Sequence, residues 1–460
     1  MAGRVHNSFR YFFCFYLNLE DSYEFLHNLK TISYFCMTNK ILTMNATVVL
    51  FWGIVAILVI DYVLERILDA LNGRMRGAEV PMEVADIYNV EDYTKQQRYE
   101  HAKSKINFWV SSIGFLFIMV LLFTGSFGLL DSWITGFGFN PIVSGLLFFG
   151  VLFWASDLLT LPFEWYNIFV IEEEFGFNKM TPKIFIFDKL KSWILTAVIG
   201  GGLLAGLMWL ISVFGDNFWI IAWIAVSLFL VFVNMFYSTL IVPLFNKQTP
   251  LEDGELKQAI CAFCQKVGFE LANIYVIDGS KRSTKANAYF SGLGSKKRIV
   301  LYDTLIEKLT TEEIVAVLAH EIGHYKKKHT TMMLCASVLQ MGLILYLFGL
   351  FMSVPSFTEV LGIDYLPEKT YASFYVFSIL FTPISFGIGL AVNAFSRRNE
   401  YQADNYSGVN YSPKELESAL KKLSKSSLSN LTPHRWYVIC YYSHPTLYQR
   451  IVALRKIKNE

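Results

Sequence analysis

The sequence is poor in charge. Asp, Glu, Lys and Arg make up 17% of its 460 residues, where a soluble domain runs near a quarter. It also lacks an excess of either sign, with 40 Lys and Arg against 38 Asp and Glu and a net charge of +2. That balance excludes an extended basic surface for nucleic acid and a highly charged disordered chain. The six cysteines are scattered. Cys261 and Cys264 form a CxxC that could hold a metal or act in redox chemistry, but no second CxxC accompanies it. On the helical pattern of residues 256–267 the two fall among core positions, as packing thiols. Internal repeats and low-complexity segments are also missing.

What the chain has instead is apolar bulk: 54% hydrophobic and 16% aromatic residues, with 40 Phe and 10 Trp. The bilayer is the natural place for them. A membrane-crossing helix needs about 20 apolar residues, because the hydrocarbon layer is about 30 Å thick and each residue rises about 1.5 Å. Charge-free stretches of that length lie at residues 106–130, 132–156, 192–215, 217–246, 330–358 and 371–396. A shorter one, 45–60, reaches the length if Asp61 lies at the interface and Tyr62, Val63 and Leu64 continue the helix. The expectation is a mainly α-helical transmembrane bundle of seven spans.

Lys and Arg mark the inner side of a membrane. Arg66, Arg74, Arg76, Lys95, Arg98, Lys103 and Lys105 follow the first span, and Lys179, Lys183, Lys189 and Lys191 follow the third. No Lys or Arg separates the second span from the third or the fourth from the fifth. This alternation puts the hydrophilic segment 247–329 and the tail after Arg397 in the cytoplasm. The first 43 residues break the rule, with Arg4, Arg10, Lys30 and Lys40 on the side otherwise poor in positive charge. Their apolar run 11–19 is too short to span, they lack a signal-peptide cleavage pattern, and Met44 stands directly before the first span. Residues 1–43 are therefore read as an N-terminal extension of doubtful role. The rest divides into 44–246 with spans one to five, a catalytic segment 247–329, 330–396 with spans six and seven, and a C-terminal segment 397–460.

Within the hydrophilic segment, residues 252–268 have an amphipathic helical pattern. Asn273–Ile277 and Arg298–Tyr302 read as strands on either side of a Gly- and Ser-rich stretch at 288–295. A helix opens near Thr310, with Glu312 and Glu313 suiting its first turn. It runs through Val315, Val317 and Leu318 into His320-Glu321-Ile322-Gly323-His324. On a helix residues four apart share a face, so both imidazoles can aim at one ion about 2.1 Å from each. Glu321, one position round, reaches a water beside the metal without ligating the metal, which suits a general base. The bland alternative is two histidines four apart by chance, but a charge-poor approach makes a buried helix, where two unpaired histidines are costly.

A catalytic zinc needs a third protein ligand. The seventh span leads into Arg397-Arg398-Asn399-Glu400, still helical in pattern. Glu400 can complete the site, and Asp404, one turn on, can accept the spare N–H of a ligating histidine. The competing view is a charged helix end that only marks the interface.

With these residues in hand, the chain resembles a known family, the integral-membrane zinc metalloproteases called type I CAAX prenyl endopeptidases, from about residue 45 to its end. The blocks that carry the likeness are Leu161-Pro162-Phe163, Phe169-Val170-Ile171-Glu172-Glu173, Gly176-Phe177-Asn178-Lys179, Pro243-Leu244-Phe245-Asn246, Asn287-Ala288-Tyr289, the HExxH, Asn399-Glu400 with Asp404, and Ser443-His444-Pro445 with Arg450. The resemblance implies a gluzincin-like segment with a small β element and one Zn2+ per chain. It also implies that Asn287 and His444 line the cleft, binding substrate backbone or the oxyanion. Their plain alternatives are a turn-forming Asn and a structural His ahead of Pro445. Arg450 could pair with an acidic partner or with the substrate's terminal carboxylate.

The implied reaction removes the last three residues of prenylated CAAX proteins. The implied partners are a peptide or protein substrate and the lipid bilayer, with no nucleic acid; the oligomeric state is open, a monomer included. The implied location is the endoplasmic reticulum membrane in a eukaryote or the cytoplasmic membrane in a bacterium, with the active site open to the cytoplasm. The tail from Lys456 to Glu460 resembles a dilysine retrieval signal. Two other readings stay open. One is a membrane quality-control zinc protease of the heat-shock type without a prenyl requirement, against which the span number and the block at 161–179 argue. The other is a transporter or channel, for which Asp157 is the only ionisable candidate near mid-membrane.

Overall fold

The computed structural model describes residues 22–270, 273–291 and 298–457, with side chains from residue 46 onward except at Ser291. Residues 1–21 of the extension, with Cys14, lie outside the described residues, as do the last three of the dilysine-like tail. Cys36 is described only through its helical backbone.

Long helices dominate. α1 (Ser22–Arg74), α2 (Val90–Phe123) and α3 (Pro141–Tyr166) come first, and a π-helical turn, Asn167–Glu172, extends α3. Then follow α4 (Pro182–Leu195), α5 (Gly201–Phe214) and α6 (Phe218–Phe236), with π turns at Thr196–Gly200 and Tyr237–Ile241. Five stretches are long and apolar enough to cross a membrane: Ala46–Arg74, Val90–Phe123, Pro141–Glu172, Pro182–Phe245 and His329–Phe351. A sixth is possible if Thr370–Leu380 and Thr382–Asn410, bent by 51°, act as one. Pro383 in the first turn of the second piece explains the bend, since proline cannot donate the hydrogen bond that would join the two.

Among the described residues the count of such stretches is thus five or six, against the seven spans expected. The difference falls in Pro182–Phe245, a 64-residue stretch where the sequence suggested two spans. Helical bonding there is interrupted only at Gly215 (φ 53, ψ −130) and a 3-10 turn to Asn217, which are the residues expected to separate the fourth span from the fifth. Large apolar side chains point outward along these helices, among them Val49, Ile60, Leu228 and Leu339. In water each would be a liability, and together they form the face that lipid covers. The chain is a multi-pass membrane protein.

Inside the bundle, Phe127, Phe148, Phe218, Phe348 and Tyr371 are fully buried in one apolar core. A second core belongs to the hydrophilic segment. There a four-stranded sheet has the order β1-β2-β4-β3, with β1 at Gln248–Pro250, β2 at Asn273–Ile277, β3 at Ala288–Ser291 and β4 at Arg298–Tyr302. β2 and β4 run parallel, and β3 pairs antiparallel with β4 alone, leaving its outer edge free among the described residues. β2 and β4 coincide with the expected strands. β3 occupies the start of the Gly- and Ser-rich stretch, where Tyr289 and Phe290 favour a pleated surface. α7 (Glu255–Lys266) packs against this sheet's core and puts Cys264 inside, while Cys261 is exposed, so only one thiol of the CxxC is a packing residue.

The turn before β3 is held from below by the membrane helices. Arg282 makes two bonds to Asp188 (2.8 and 3.1 Å), and Lys285 donates to Glu172 at 2.8 Å. The same Glu172 accepts from Tyr99 (2.8 Å) and Lys103 (3.2 Å). The π turn ending at Glu172 therefore aims that carboxylate at the loop carrying Asn287.

Candidate metal centre

α8 (Thr311–Lys326) carries the HExxH. Thr310 caps it through the Glu313 N–H, and the Glu313 side chain returns to the Thr310 N–H, satisfying two otherwise orphaned donors. Ile314, Val315, Leu318, Ala319 and Ile322 are buried, so the helix is fixed by its apolar faces. Glu313 is itself buried and bonds Ser418 and Lys422 of α12 (Pro413–Ser426). Burial works against its charge, but these partners outweigh it and hold its carboxyl below the usual 4.5.

Two residues past α8, Lys328 takes a left-handed backbone (φ 60) that turns the chain into α9 (His329–Phe351). α10 (Thr370–Leu380) and α11 (Thr382–Asn410) follow. α11 crosses α8 closely because Gly323 faces it: a Cβ there would sit 3.2 Å from the Ala403 backbone. The Ser407 hydroxyl bonds the Ala316 carbonyl at 2.7 Å and locks the crossing.

This crossing brings Glu400 to the two histidines. His320 Nε2 and His324 Nε2 lie 3.1 Å apart, Glu400 Oε2 is 3.5 Å from the first, and Oε1 is 3.2 Å from the second. All three donor groups fall within 4.8 Å of one another, and among the described residues they are the one such cluster of His, Cys, Asp and Glu. A tetrahedral ion with bonds of about 2.1 Å has ligand–ligand edges of about 3.4 Å, close to these separations. Glu400 Oε2 is buried without a hydrogen-bond partner among the described residues. The Arg450 guanidinium stands 3.6 Å from that oxygen, an ion pair without a hydrogen bond; a cation between this oxygen and the two imidazole nitrogens would satisfy it, and the N2O donor set suits zinc.

Both rings are oriented from behind. Asp404, almost wholly buried, takes the Nδ1–H of His320 at 2.8 Å, which turns Nε2 toward Glu400 and His324. Burial disfavours an imidazolium here, but the bonds to Asp404 and Glu400 outweigh it and lift the His320 pKa to about 9, so the pocket draws positive charge. His324 Nδ1 lies 3.0 Å from His329 Nδ1, and His329 Nε2 lies 3.0 Å from Gln402 Oε1. One proton arrangement fits this chain: Gln402 accepts from His329, His329 accepts from His324, and His324 keeps Nε2 free. Sequence reasoning missed His329 and Gln402. The available signal was a third histidine five residues beyond the motif.

The C-terminal segment closes the centre. Arg397 donates to the carbonyls of Val438, Ile439 and Tyr442, at 2.6 Å for the last, at the end of α13 (Arg435–Tyr441). It thereby holds the following turn, where His444 Nε2 lies 3.3 Å from Glu400 Oε1 with the side chain 60% exposed. α14 (Leu447–Leu454) then returns Arg450, which grips Asp404 with two bonds of 2.9 and 2.6 Å. Of the two roles open to Arg450, pairing with an acidic partner is the contact observed. Glu321 is half-buried on the metal-facing helix. Asn287 sits exposed just before β3, its Oδ1 accepting from the Ala288 N–H, and no described contact links it to the histidines.

Known proteins match the chain over most of its length. The family described as CAAX prenyl protease N-terminal, five membrane helices, matches residues 72–247, and peptidase family M48 matches residues 250–458. The chain is 40% identical over 333 residues to CAAX prenyl protease 1 of Saccharomyces cerevisiae, covering 68% of this chain and 73% of the yeast protein. It is 33% identical over 430 residues to the CAAX prenyl protease 1 homolog of Mus musculus, covering 83% and 90%. The crystal structure of S. mikatae Ste24p superposes with a TM-score of 0.84 at 33% identity, covering 88% of this chain and 99% of that one.

Proposed function

This chain belongs to the M48 family of membrane peptidases, and from that premise we propose that it is a zinc endopeptidase that removes the last three residues of prenylated CAAX proteins. The observation that carries the reading is the convergence at tetrahedral spacing of His320 Nε2, His324 Nε2 and the Glu400 carboxylate, whose Oε2 makes no hydrogen bond among the described residues. The relatives' names supply the substrate class.

His320, His324 and Glu400 would hold the metal, and zinc bound there would supply Lewis acidity toward a carbonyl and a water. Glu321 takes the proton of the attacking water and passes it to the leaving amine. Asp404 and the His329–Gln402 pair keep the two imidazoles in the metal-binding tautomer. Asn287 holds the substrate extended at the head of the free β3 edge, to which a peptide strand can add. His444, at the exposed rim, donates to the developing oxyanion. Arg450 positions Asp404. We assign the centre to the cytoplasmic side, which the Lys and Arg bias supports.

Glu321→Ala should retain metal and lose about 10²- to 10⁴-fold in hydrolysis, whereas His324→Ala should lose both; retained hydrolysis in Glu321→Ala would refute the mechanism. Mass-spectrometric mapping of cleavage in a prenylated and an unprenylated CAAX peptide tests the substrate. Equal cleavage of the two would point to a general membrane protease.

A further inference from the structure

A strongly basic groove takes no part in the chemistry above. It has a volume of about 590 Å³ and opens where the sheet meets α4 and the short helix Val242–Phe245 that follows α6 and its π turn. Ile274 and Ile299 point into the core shared with α8, so their neighbours Tyr275 and Arg298 turn to the other face of the sheet and line the groove. The sheet therefore stands between this groove and the helix that carries the HExxH.

Four cations surround the space: Lys191, Lys247, Lys281 and Arg298. One carboxylate, Asp278, lines it with them, and its Oδ1 already accepts from the Lys247 backbone N–H at 2.8 Å and the Asn246 amide at 3.2 Å. Lys191 comes only to 3.7 Å from Asp188, which Arg282 grips with two bonds. Among the described residues Lys247, Lys281 and Arg298 have no ion pair. Arg298 lies over the Tyr275 ring, 4.9 Å from its centre, a stacking that leaves its in-plane N–H fork to an anion. Cations gathered in one groove repel each other until an anion joins them.

The position of the groove points to the anion's source. Lys191 precedes and Lys247 follows the apolar stretches 192–215 and 217–246, so both mark one membrane interface. The Lys191 ammonium ties the two ends together by donating to the Leu244 carbonyl at 2.9 Å. Leu244 lines the groove and is 48% exposed, and Leu190, Ile194 and Leu240 on the same helix ends are exposed too. Acyl chains lying against these residues carry a headgroup to the level of the lysines. The volume lies within the range of ligand pockets, about 300–1,000 Å³, and exceeds what a bare phosphate fills.

We propose that this groove binds the phosphate monoester headgroup of an anionic membrane lipid, the phosphate held among Lys247, Lys281 and Arg298. A monoester carries about −1.5 to −2 at neutral pH and so offsets more of the positive surplus than a diester with a single charge. The ligand is a lipid because the same groove that gathers the cations is walled by Leu244, which faces the hydrocarbon.

The test uses the full-length protein in phosphatidylcholine nanodiscs doped with a diazirine-bearing phosphatidic acid, with labelled residues read by mass spectrometry. Label at 190–194 and 240–248 supports the assignment, and label confined to other segments overturns it. Lys247→Gln combined with Lys281→Gln should lower labelling about fivefold for each lysine removed, while Lys247→Arg with Lys281→Arg should keep it. Full labelling of the Gln pair, or an Arg pair that labels no better than the Gln pair, overturns the proposal. A variant that has lost its metal is misfolded, and competition on the wild-type protein then decides. Excess unlabelled phosphatidic acid should abolish the label at these residues and excess phosphatidylcholine should not; equal competition by the two overturns the proposal. Inorganic phosphate should leave the label in place, and displacement by it as complete as by phosphatidic acid would assign the groove to a free phosphate and overturn the lipid.

Discussion

Gly323 lies where α8 and α11 approach most closely, and Gly323→Ala probes how far the metal centre depends on that approach. The new Cβ would meet the Tyr406 Cβ at 3.0 Å and the Ala403 Cα at 3.2 Å. In an open helix the change would stabilise by about 1 kcal/mol. Against a packed backbone, overfilling costs about 1–3 kcal/mol, so the two nearly cancel at one limit and leave about 2 kcal/mol of destabilisation at the other. Stability is therefore a weak readout. The stronger one is geometry, because backbone atoms cannot rotate away and α11 must retreat by a few tenths of an ångström. α11 carries Glu400 and Asp404, so the third ligand and the partner of His320 move with it. Since a misplacement of about 1 Å can cost about 10²-fold, a retreat of this size should lower kcat about three- to tenfold. Peptide hydrolysis in bilayers and zinc affinity by chelator competition measure the two effects. Full kcat with wild-type zinc affinity would refute the reasoning.

Other changes test separate parts of the fold. His329→Ala should weaken zinc binding by about 10- to 100-fold while leaving the first-motif ligands in place; unaltered affinity in chelator titrations would mean that the His324 tautomer is held some other way. Lys285→Ala releases the Asn287 loop from Glu172 and Tyr99 and should raise KM more than it lowers kcat, whereas an effect on kcat alone would detach that loop from substrate binding. Glu313 carries a pH signature. Its folded pKa is lower than its unfolded value, so its stabilisation is present above about pH 4.5 and disappears as pH falls through the lower, folded pKa. Glu313→Gln should cost about 1 kcal/mol of thermal stability at neutral pH and flatten the loss of stability below pH 4.5; parallel acid profiles for the two proteins would exclude this role.

The parts of the site read from the sequence were those encoded by local spacing. His320 and His324 share a helix face because they are four apart, and the Thr310–Glu313 cap follows a short-range pattern. β2 and β4 were legible because each is a dense run of strand-forming residues. β3 was not, since its four residues sit in a Gly- and Ser-rich stretch and are held by pairing with β4. Cys261 and Cys264 looked alike by spacing, yet only the packing partners of α7 put one inside. The number of stretches also differs from seven, because Pro182–Phe245 counts as one although Gly215 breaks it where the sequence separated two spans, and because Thr370–Leu380 and Thr382–Asn410 are bent apart.

By itself the sequence determined a helical membrane protein with a two-histidine motif, because hydropathy and helical periodicity act within one stretch of chain. It also singled out Glu400 as a candidate third ligand. Tertiary structure alone decided that Glu400 reaches Nε2 of both rings, because only the close crossing at Gly323 and the bond from Ser407 to Ala316 set that distance. It likewise paired Arg450 with Asp404 and set His329 behind His324, since the one contact closes over 46 residues and the other depends on a left-handed turn at Lys328.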